Sequence, residues 1–274
     1  FADYFEYIIL RLTYPDFTIE TTANWNDHLI ALRKLKKSRY PGVKYDVTYK
    51  LINAADYGVP QTRERVVIVG TRSDLALPWK FPAITHSEDR LLWDMHVTGE
   101  YWQRHNVPIA LIPPLDTTAK EKIYRLKEKY GMFEPELLPW KTVRDALFDT
   151  PDPLSNHGIA DHVYRGGARI YPGHNGSCFD WPSKTIKAGG HGVPGGENMI
   201  RFDDGSVRYF TTFEAKRIQT FPDNFVIKGA WGEAMRQIGN AVPVLLAEKI
   251  GNELANKIKG LSQTMPVMLP SPAI

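Results

Sequence analysis

Two arginines and a glutamine stand at the entrance to an apolar strand. Gln61-Thr-Arg-Glu-Arg65 follows the turn-rich stretch Asn53-Ala-Ala-Asp-Tyr-Gly-Val-Pro60 and runs directly into Val66-Val-Ile-Val69. A guanidinium does not shed its proton, so near a core it needs a carboxylate, a carbonyl or a phosphate as acceptor. Whatever fold this chain adopts must bring such acceptors to residues 61 to 65. For an isolated pair of arginines, an ion pair with an acidic neighbour such as Asp56 would be sufficient. The sequence downstream argues for a more specific use.

The 274 residues can bury a substantial core and suffice for one large or two modest domains. With 43% hydrophobic and 24% charged residues, the composition is that of a globular protein rather than a disordered one. No apolar run approaches the roughly 18 residues of a membrane span, and nothing resembles a signal peptide, so no membrane partner is expected. The single cysteine, Cys178, rules out an internal disulfide, and a cytoplasmic location is the economical expectation. A net charge of +3 permits an anionic partner without demanding one. Aromatic residues beside basic ones, as in Tyr101-Trp-Gln-Arg-His105, suit contacts with bases and equally suit a packed aromatic rim. The numbering opens on Phe1 rather than methionine, which is expected of a piece of something longer.

Along the chain, residues 3–12 read as a short helix stopped by Pro15, residues 27–39 as a second, basic helix, and residues 45–52 as a strand. The loop rich in glycine and proline and the strand at 66–69 complete a strand–loop–strand unit, too little for a full α/β domain. From about Leu75 to Ser206 prolines and glycines crowd the sequence. Few regular elements are expected there beyond a helix near 116–130, ending at Gly131, and another beginning at Thr142 with Asp145 as its capping partner. Thr211 and Glu214 have capping-box spacing for a helix through Gln219, which Phe221-Pro-Asp-Asn-Phe225 terminates. Ile238-Gly-Asn-Ala-Val-Pro243 reads as a tight turn into a final helix whose stripe is Leu246, Ile250, Leu254 and Ile258. The tail from Gln263 is expected to fray.

Three of these stretches resemble the later motifs of the DNA (cytosine-5) methyltransferases. Ala55-Asp-Tyr-Gly-Val-Pro-Gln-Thr-Arg-Glu-Arg65 resembles the family's glutamine–arginine–arginine motif. The stretch from Arg208 to Asp223 resembles its ninth motif, and Gln237-Ile-Gly-Asn-Ala-Val-Pro243 with the closing helix its tenth. They occur in family order, with a long variable stretch where such enzymes keep their target recognition domain. The resemblance implies an α/β fold: a partial Rossmann-like methyltransferase domain plus an irregular, loop-rich target recognition domain. The boundaries it suggests are 1–80 for the catalytic remnant, 81–205 for recognition, 206–262 for the ninth and tenth motifs, and 263–274 for a tail.

By the same resemblance, double-stranded DNA is the partner and S-adenosylmethionine the methyl donor. The enzymes flip the target cytosine out of the duplex and add a cysteine thiolate to its carbon 6. An arginine holds the ring oxygen where charge accumulates. The resemblance assigns that role to Arg65, loop support to Arg63 and backbone fixation around the pocket to Gln61. It places Asn240, Ala241 and Val242 at the methionine end of the cofactor. Ser183-Lys-Thr-Ile-Lys-Ala188 and the glycine loop after it resemble the end of a recognition domain and equally suit a plain wide hairpin; on the first reading Lys184, Lys187, His191 and Asn198 are the candidates for DNA contact.

The family's glycine-rich cofactor loop, its Pro-Cys nucleophile and its Glu-Asn-Val do not occur in the sequence. Cys178 has no preceding proline and reads as a small, partly buried hydrophobe. The chain is therefore expected to be the carboxy-terminal half or subunit of such an enzyme, inactive alone and completed by a partner carrying the nucleophile and cofactor loop. The alternative is a non-catalytic, sequence-specific DNA-binding subunit. Gly190-His-Gly-Val-Pro-Gly195 matches a dinucleotide fingerprint by chance, since no helix-forming sequence follows it. His157, His162 and His174 lack the spacing of a zinc site, and no metal is expected. Residues 120–129 read as a solvated, charged helix rather than a nucleic-acid stripe.

Overall fold

The computed structural model describes residues 1–19, 24–188 and 198–264, apart from the side chains of 261–264. It is of mixed α/β content and divides into two compact units. The first comprises Phe1–Leu51, Arg65–Pro82 and the chain from Ile250 onward; the second comprises Ile52–Glu64 and Ala83–Lys249.

In the first unit, helices α1 (Ala2–Thr13) and α2 (Trp25–Leu35) pack Leu10 and Tyr14 against Leu29 and Leu32, with Tyr7, Phe17 and Tyr40 around them. Helix α2 starts two residues before the expected position because Asn24 and Asp27 form a capping box that satisfies its first amides. Strands β1 (Tyr45–Asn53) and β2 (Glu64–Arg72) form a two-stranded sheet. β2 is longer than its apolar run because Glu64, Arg65, Thr71 and Arg72 extend it at both ends. A two-stranded sheet buries few side chains. Tyr49, Leu51 and Val66 are accordingly more than half exposed or close to it, at 54%, 60% and 50%.

The second unit begins with the turn that precedes residues 61–65. A 3-10 turn, Ala54–Tyr57, ends at Gly58, whose φ of +90° is left-handed and costs a glycine little. Ala54, Ala55, Tyr57 and Val59 are buried, so the loop is part of the core rather than a surface connection.

The region expected to be irregular holds more structure than its prolines suggest. Ser87 caps α3 (Glu88–His96), and α4 (Glu100–Arg104) follows Gly99. Their Leu91, Met95, Tyr101 and Trp102 form one core with Ala55 and Trp140. The short strands β3 (His86–Ser87) and β4 (Leu138–Pro139) pair in parallel. Helix α5 (Thr117–Tyr130) turns only Ile123 and Leu126 inward, and Lys122 and Lys129 pair with Glu88 and Asp89, as a solvated helix should. Helix α6 (Val143–Leu147) carries the Thr142–Asp145 capping box.

Strands β5 (Ser177–Cys178), β6 (Met199–Arg201) and β7 (Val207–Tyr209) make a three-stranded sheet, parallel then antiparallel. Helix α7 (Thr212–Ile218) has the predicted Thr211–Glu214 capping box, with Arg208 clasping Glu214 through two bonds of 2.6 and 2.7 Å. Helix α8 (Trp231–Asn240) was not legible in the sequence, which placed a turn from Ile238. The turn is confined to Ala241–Pro243. Helix α9 (Val244–Thr264) then closes the chain, with Pro243 immediately before its first residue. Val143, Leu147, Ile186, Ile200, Phe210, Ala215, Ile218, Met235 and Ile238 form the core that unites α6, α7, α8 and β6. Among the described residues no helix is long and apolar enough to cross a membrane.

Candidate functional site

An extended segment, residues 183–188, lies in the second unit between the three motif stretches. Along one side runs the loop of Gln61 and Arg63. The Ser183 amide donates to the Pro60 carbonyl at 2.9 Å, the Thr62 amide to the Ser183 carbonyl at 2.8 Å, and the Thr185 hydroxyl to the Thr62 carbonyl at 2.9 Å. Gln61 is fully buried, and its Oε1 accepts from the Ile186 amide at 3.2 Å. These bonds make residues 60–62 an added edge to a segment more than a hundred residues away in sequence.

Arg63 completes the junction. It is 5% exposed, and its guanidinium donates to the Ile186 carbonyl at 3.2 Å and to the Gly239 carbonyl at 2.8 Å. One charged fork thus ties residue 186 to the end of α8. Bonds from a charged donor are worth about 1.5–3 kcal/mol each. Main-chain carbonyls are among the acceptors a buried arginine requires.

Gly239 must be glycine for a steric reason. A Cβ there would lie 2.5 Å from the Ala188 nitrogen and 2.6 Å from the Lys187 carbonyl carbon, both backbone atoms that cannot swing aside. Gln219, fully buried, reaches the same helix end and donates from Nε2 to the Ile238 carbonyl at 2.7 Å. The Gln219 carbonyl and the Thr220 hydroxyl then accept from the amides of Val244 and Leu245, which satisfies the first donors of α9. The turn between α8 and α9 is therefore held from beneath, while Asn240 and Val242 stay exposed and Ala241 half-buried. Sequence reading gave neither Gln219 nor Gly239 a role. The only signal for them was their place inside the Ile-Gln-Thr-Phe and Ile-Gly-Asn strings.

The remaining expected residues fall as follows. Arg65 is exposed on β2 and belongs to the first unit. Lys187 is exposed, and Lys184 is half-buried with its ammonium donating to Asn175 at 2.6 Å. Asn198, expected to touch DNA, is 2% exposed, and its carboxamide both accepts from the Lys187 amide and donates to the Lys187 carbonyl. That pairing occupies its amide inside the fold. His191 and the glycine-rich string 190–195 lie outside the described residues.

Cys178 is exposed, not partly buried, because alternation on β5 turns Ser177 inward and leaves the thiol outward beside Arg201 Nη2 at 2.6 Å. His162 is fully buried between the Thr211 hydroxyl and the Pro151 carbonyl, both at 2.8 Å. Among the described residues no group of three or more histidines, cysteines or carboxylates could hold a metal.

Buried main-chain junctions thus brace an exposed turn, and comparison with known proteins shows the family in which this arrangement occurs. The family model described as C-5 cytosine-specific DNA methylase matches residues 25–256. The chain belongs to that family. It is 32% identical over 237 residues to the Type II methyltransferase M.BsuRI of Bacillus subtilis, covering 77% of this chain and 42% of that one. To the Type II methyltransferase M.NgoFVII of Neisseria gonorrhoeae it is 35% identical over 205 residues, covering 73% and 47%. The chain thus spans less than half the length of these two relatives. A solved structure of the Entamoeba histolytica methyltransferase EhMeth overlays 92% of this chain and 68% of its own, at a TM-score of 0.43 and 12% identity, too distant a likeness to argue from.

Proposed function

We propose that this chain is the carboxy-terminal part or subunit of a DNA cytosine-5 methyltransferase, and that it completes the pocket for a flipped cytosine and grips the DNA around it. The observation that carries the reading is the Arg63 fork, which joins the loop of residues 60–63 to the end of α8 and so fixes the spacing of two family motifs. Arg63 and Gln61 hold that loop, and Arg65, two residues on, supplies the exposed guanidinium for the cytosine ring oxygen. Lys184, Lys187 and His191 are the DNA-contacting side chains; Asn198 sets the backbone of Lys187.

S-adenosylmethionine supplies the methyl group. The residues present fit one end of it: Asn240 offers an exposed carboxamide and the exposed turn through Val242 offers main chain, the combination a polar amino-acid end would take. The thiolate nucleophile and the glycine-rich cofactor loop come from an amino-terminal half or partner subunit, which also completes the Rossmann-like sheet begun by β1 and β2. The exposed Tyr49, Leu51 and Val66 support that reading. Residues 81–205 hold target recognition.

In an enzyme completed by such a partner, Arg65→Ala is expected to depress methyl transfer on the order of a hundredfold, the scale of losing one charge-stabilising donor, while DNA affinity stays within a few-fold. Equal losses in both would make the arginine structural.

A further inference from the structure

The turn that delivers Gln61 and Arg63 is gripped from outside its own motif. Gly58 carries φ +90°, and a Cβ there would sit 2.7 Å from Cε1 of the His86 ring, with the ring nitrogens at 3.0 and 3.2 Å. The imidazole therefore lies directly against the Gly58 backbone. The residue before it, Thr85, donates its amide to the Asp56 carbonyl at 2.9 Å, and its hydroxyl meets His86 Nδ1 at 2.8 Å. The Asp56 carboxylate accepts the Trp140 indole N–H at 3.0 Å. Thr85 and Trp140 are themselves locked together by the parallel pairing of β3 with β4, through Leu138 N–H to the Thr85 carbonyl and Trp140 N–H to the Ser87 carbonyl. Ala55, one residue before Asp56, is fully buried among Leu91, Tyr101 and Trp140.

We infer that Thr85, His86 and Trp140 are positioning residues for the loop bearing Gln61 and Arg63, so that residues 83–140 form a cradle for the base pocket as well as part of the DNA-reading region. The role in the pocket rests on the function proposed above; the clamp itself does not. Its elements make a closed circuit: Asp56 is held on its carbonyl by Thr85 and on its carboxylate by Trp140, while Gly58, two residues on, lies against the Cε1 side of the His86 ring. His86 is well suited to a packing role because burial, with Lys141 and Lys249 nearby, holds its pKa down at about 4 and keeps the ring neutral at physiological pH.

The test uses the full chain with three substitutions: Trp140→Phe keeps a ring and removes the indole donor, His86→Ala removes the ring, and His86→Phe restores one. Amide hydrogen exchange is read across residues 54–63 and, as internal reference, across α7 and α8. The first two substitutions are expected to speed exchange at 54–63 about tenfold, the effect of losing roughly one hydrogen bond or packing contact, and to leave the reference helices unchanged. His86→Phe should recover most of the protection. Uniform acceleration across the chain, or none at 54–63, overturns the clamp.

In the completed enzyme, Trp140→Phe should lower kcat on the order of tenfold with KM for DNA nearly constant, as a displaced catalytic loop would. A rise in KM with kcat constant would assign Trp140 to DNA binding instead. If the unsubstituted completed enzyme transferred no methyl group, the proposed function would fail, and hydrogen exchange alone would judge the clamp.

Discussion

Replacing Arg63 with alanine leaves the Ile186 and Gly239 carbonyls without their charged donor inside a closed interior. The expected loss is about 3–5 kcal/mol in urea unfolding, with Arg63→Lys recovering only part because an ammonium cannot fork to both oxygens. Gly239→Ala should cost at least about 2 kcal/mol by the same measurement, since its new methyl group meets backbone rather than a side-chain tip. A substitution at Gly232, on the same helix with nothing within 4 Å, provides the control.

His86 gives a pH signature. Its folded pKa of about 4 lies below the ordinary 6.5, so the unfolded chain binds the extra proton between those values. Stability from this group is fully present above pH 6.5 and is lost as pH falls towards 4, on the order of 2–3 kcal/mol in total. A His86→Phe variant should flatten that part of the stability–pH curve; an unchanged slope would mean the ring is not buried in solution.

At the scale of elements, what the sequence disclosed and what it hid divide by whether a local rule was at work. In each of the capping boxes Thr142–Asp145 and Thr211–Glu214 the two members lie three residues apart, and both helices begin where that spacing predicts. That an arginine near the core needs acceptors was legible at residues 61–65, although nothing in the string revealed that those of Arg63 would include the carbonyls of residues 186 and 239. Helix α8 was hidden because Gly232 and Gly239 lower its propensity and its Ncap residue, Ala230, makes no side-chain cap. Packing of Ala234, Met235 and Ile238 into the core stabilises it, and no local pattern reports that. Helices α3 and α4 were masked by the surrounding prolines. The consequence for recognition is testable. Exchanging residues 81–205 as a block with those of a relative should change the methylated sequence only if the donor keeps counterparts of Thr85, His86 and Trp140. A donor lacking them should give an enzyme slow at every site, read by methylation-sensitive cleavage of a mixed plasmid.

At the scale of the molecule, the first unit shows a sheet of two strands with apolar side chains turned to solvent, and the closing helix shows a stripe that fades. Leu246 is 2% exposed, whereas Ile258 on the same stripe is 49% exposed. Exposed apolar surface such as that of Tyr49, Leu51 and Val66 marks interaction sites, and the proposed amino-terminal partner is expected to cover it. Protection of residues 45–51 and 65–70 from hydrogen exchange on adding that partner would locate it.

The most direct measurement is transfer of a radiolabelled methyl group from S-adenosylmethionine to duplex DNA. It compares the purified chain alone with the chain mixed with an amino-terminal polypeptide bearing Pro-Cys and the glycine-rich loop. The account predicts no transfer by the chain alone and transfer to cytosine in the mixture, abolished when that polypeptide's cysteine is replaced. Transfer by the chain alone, or none in a mixture that demonstrably associates, would contradict it.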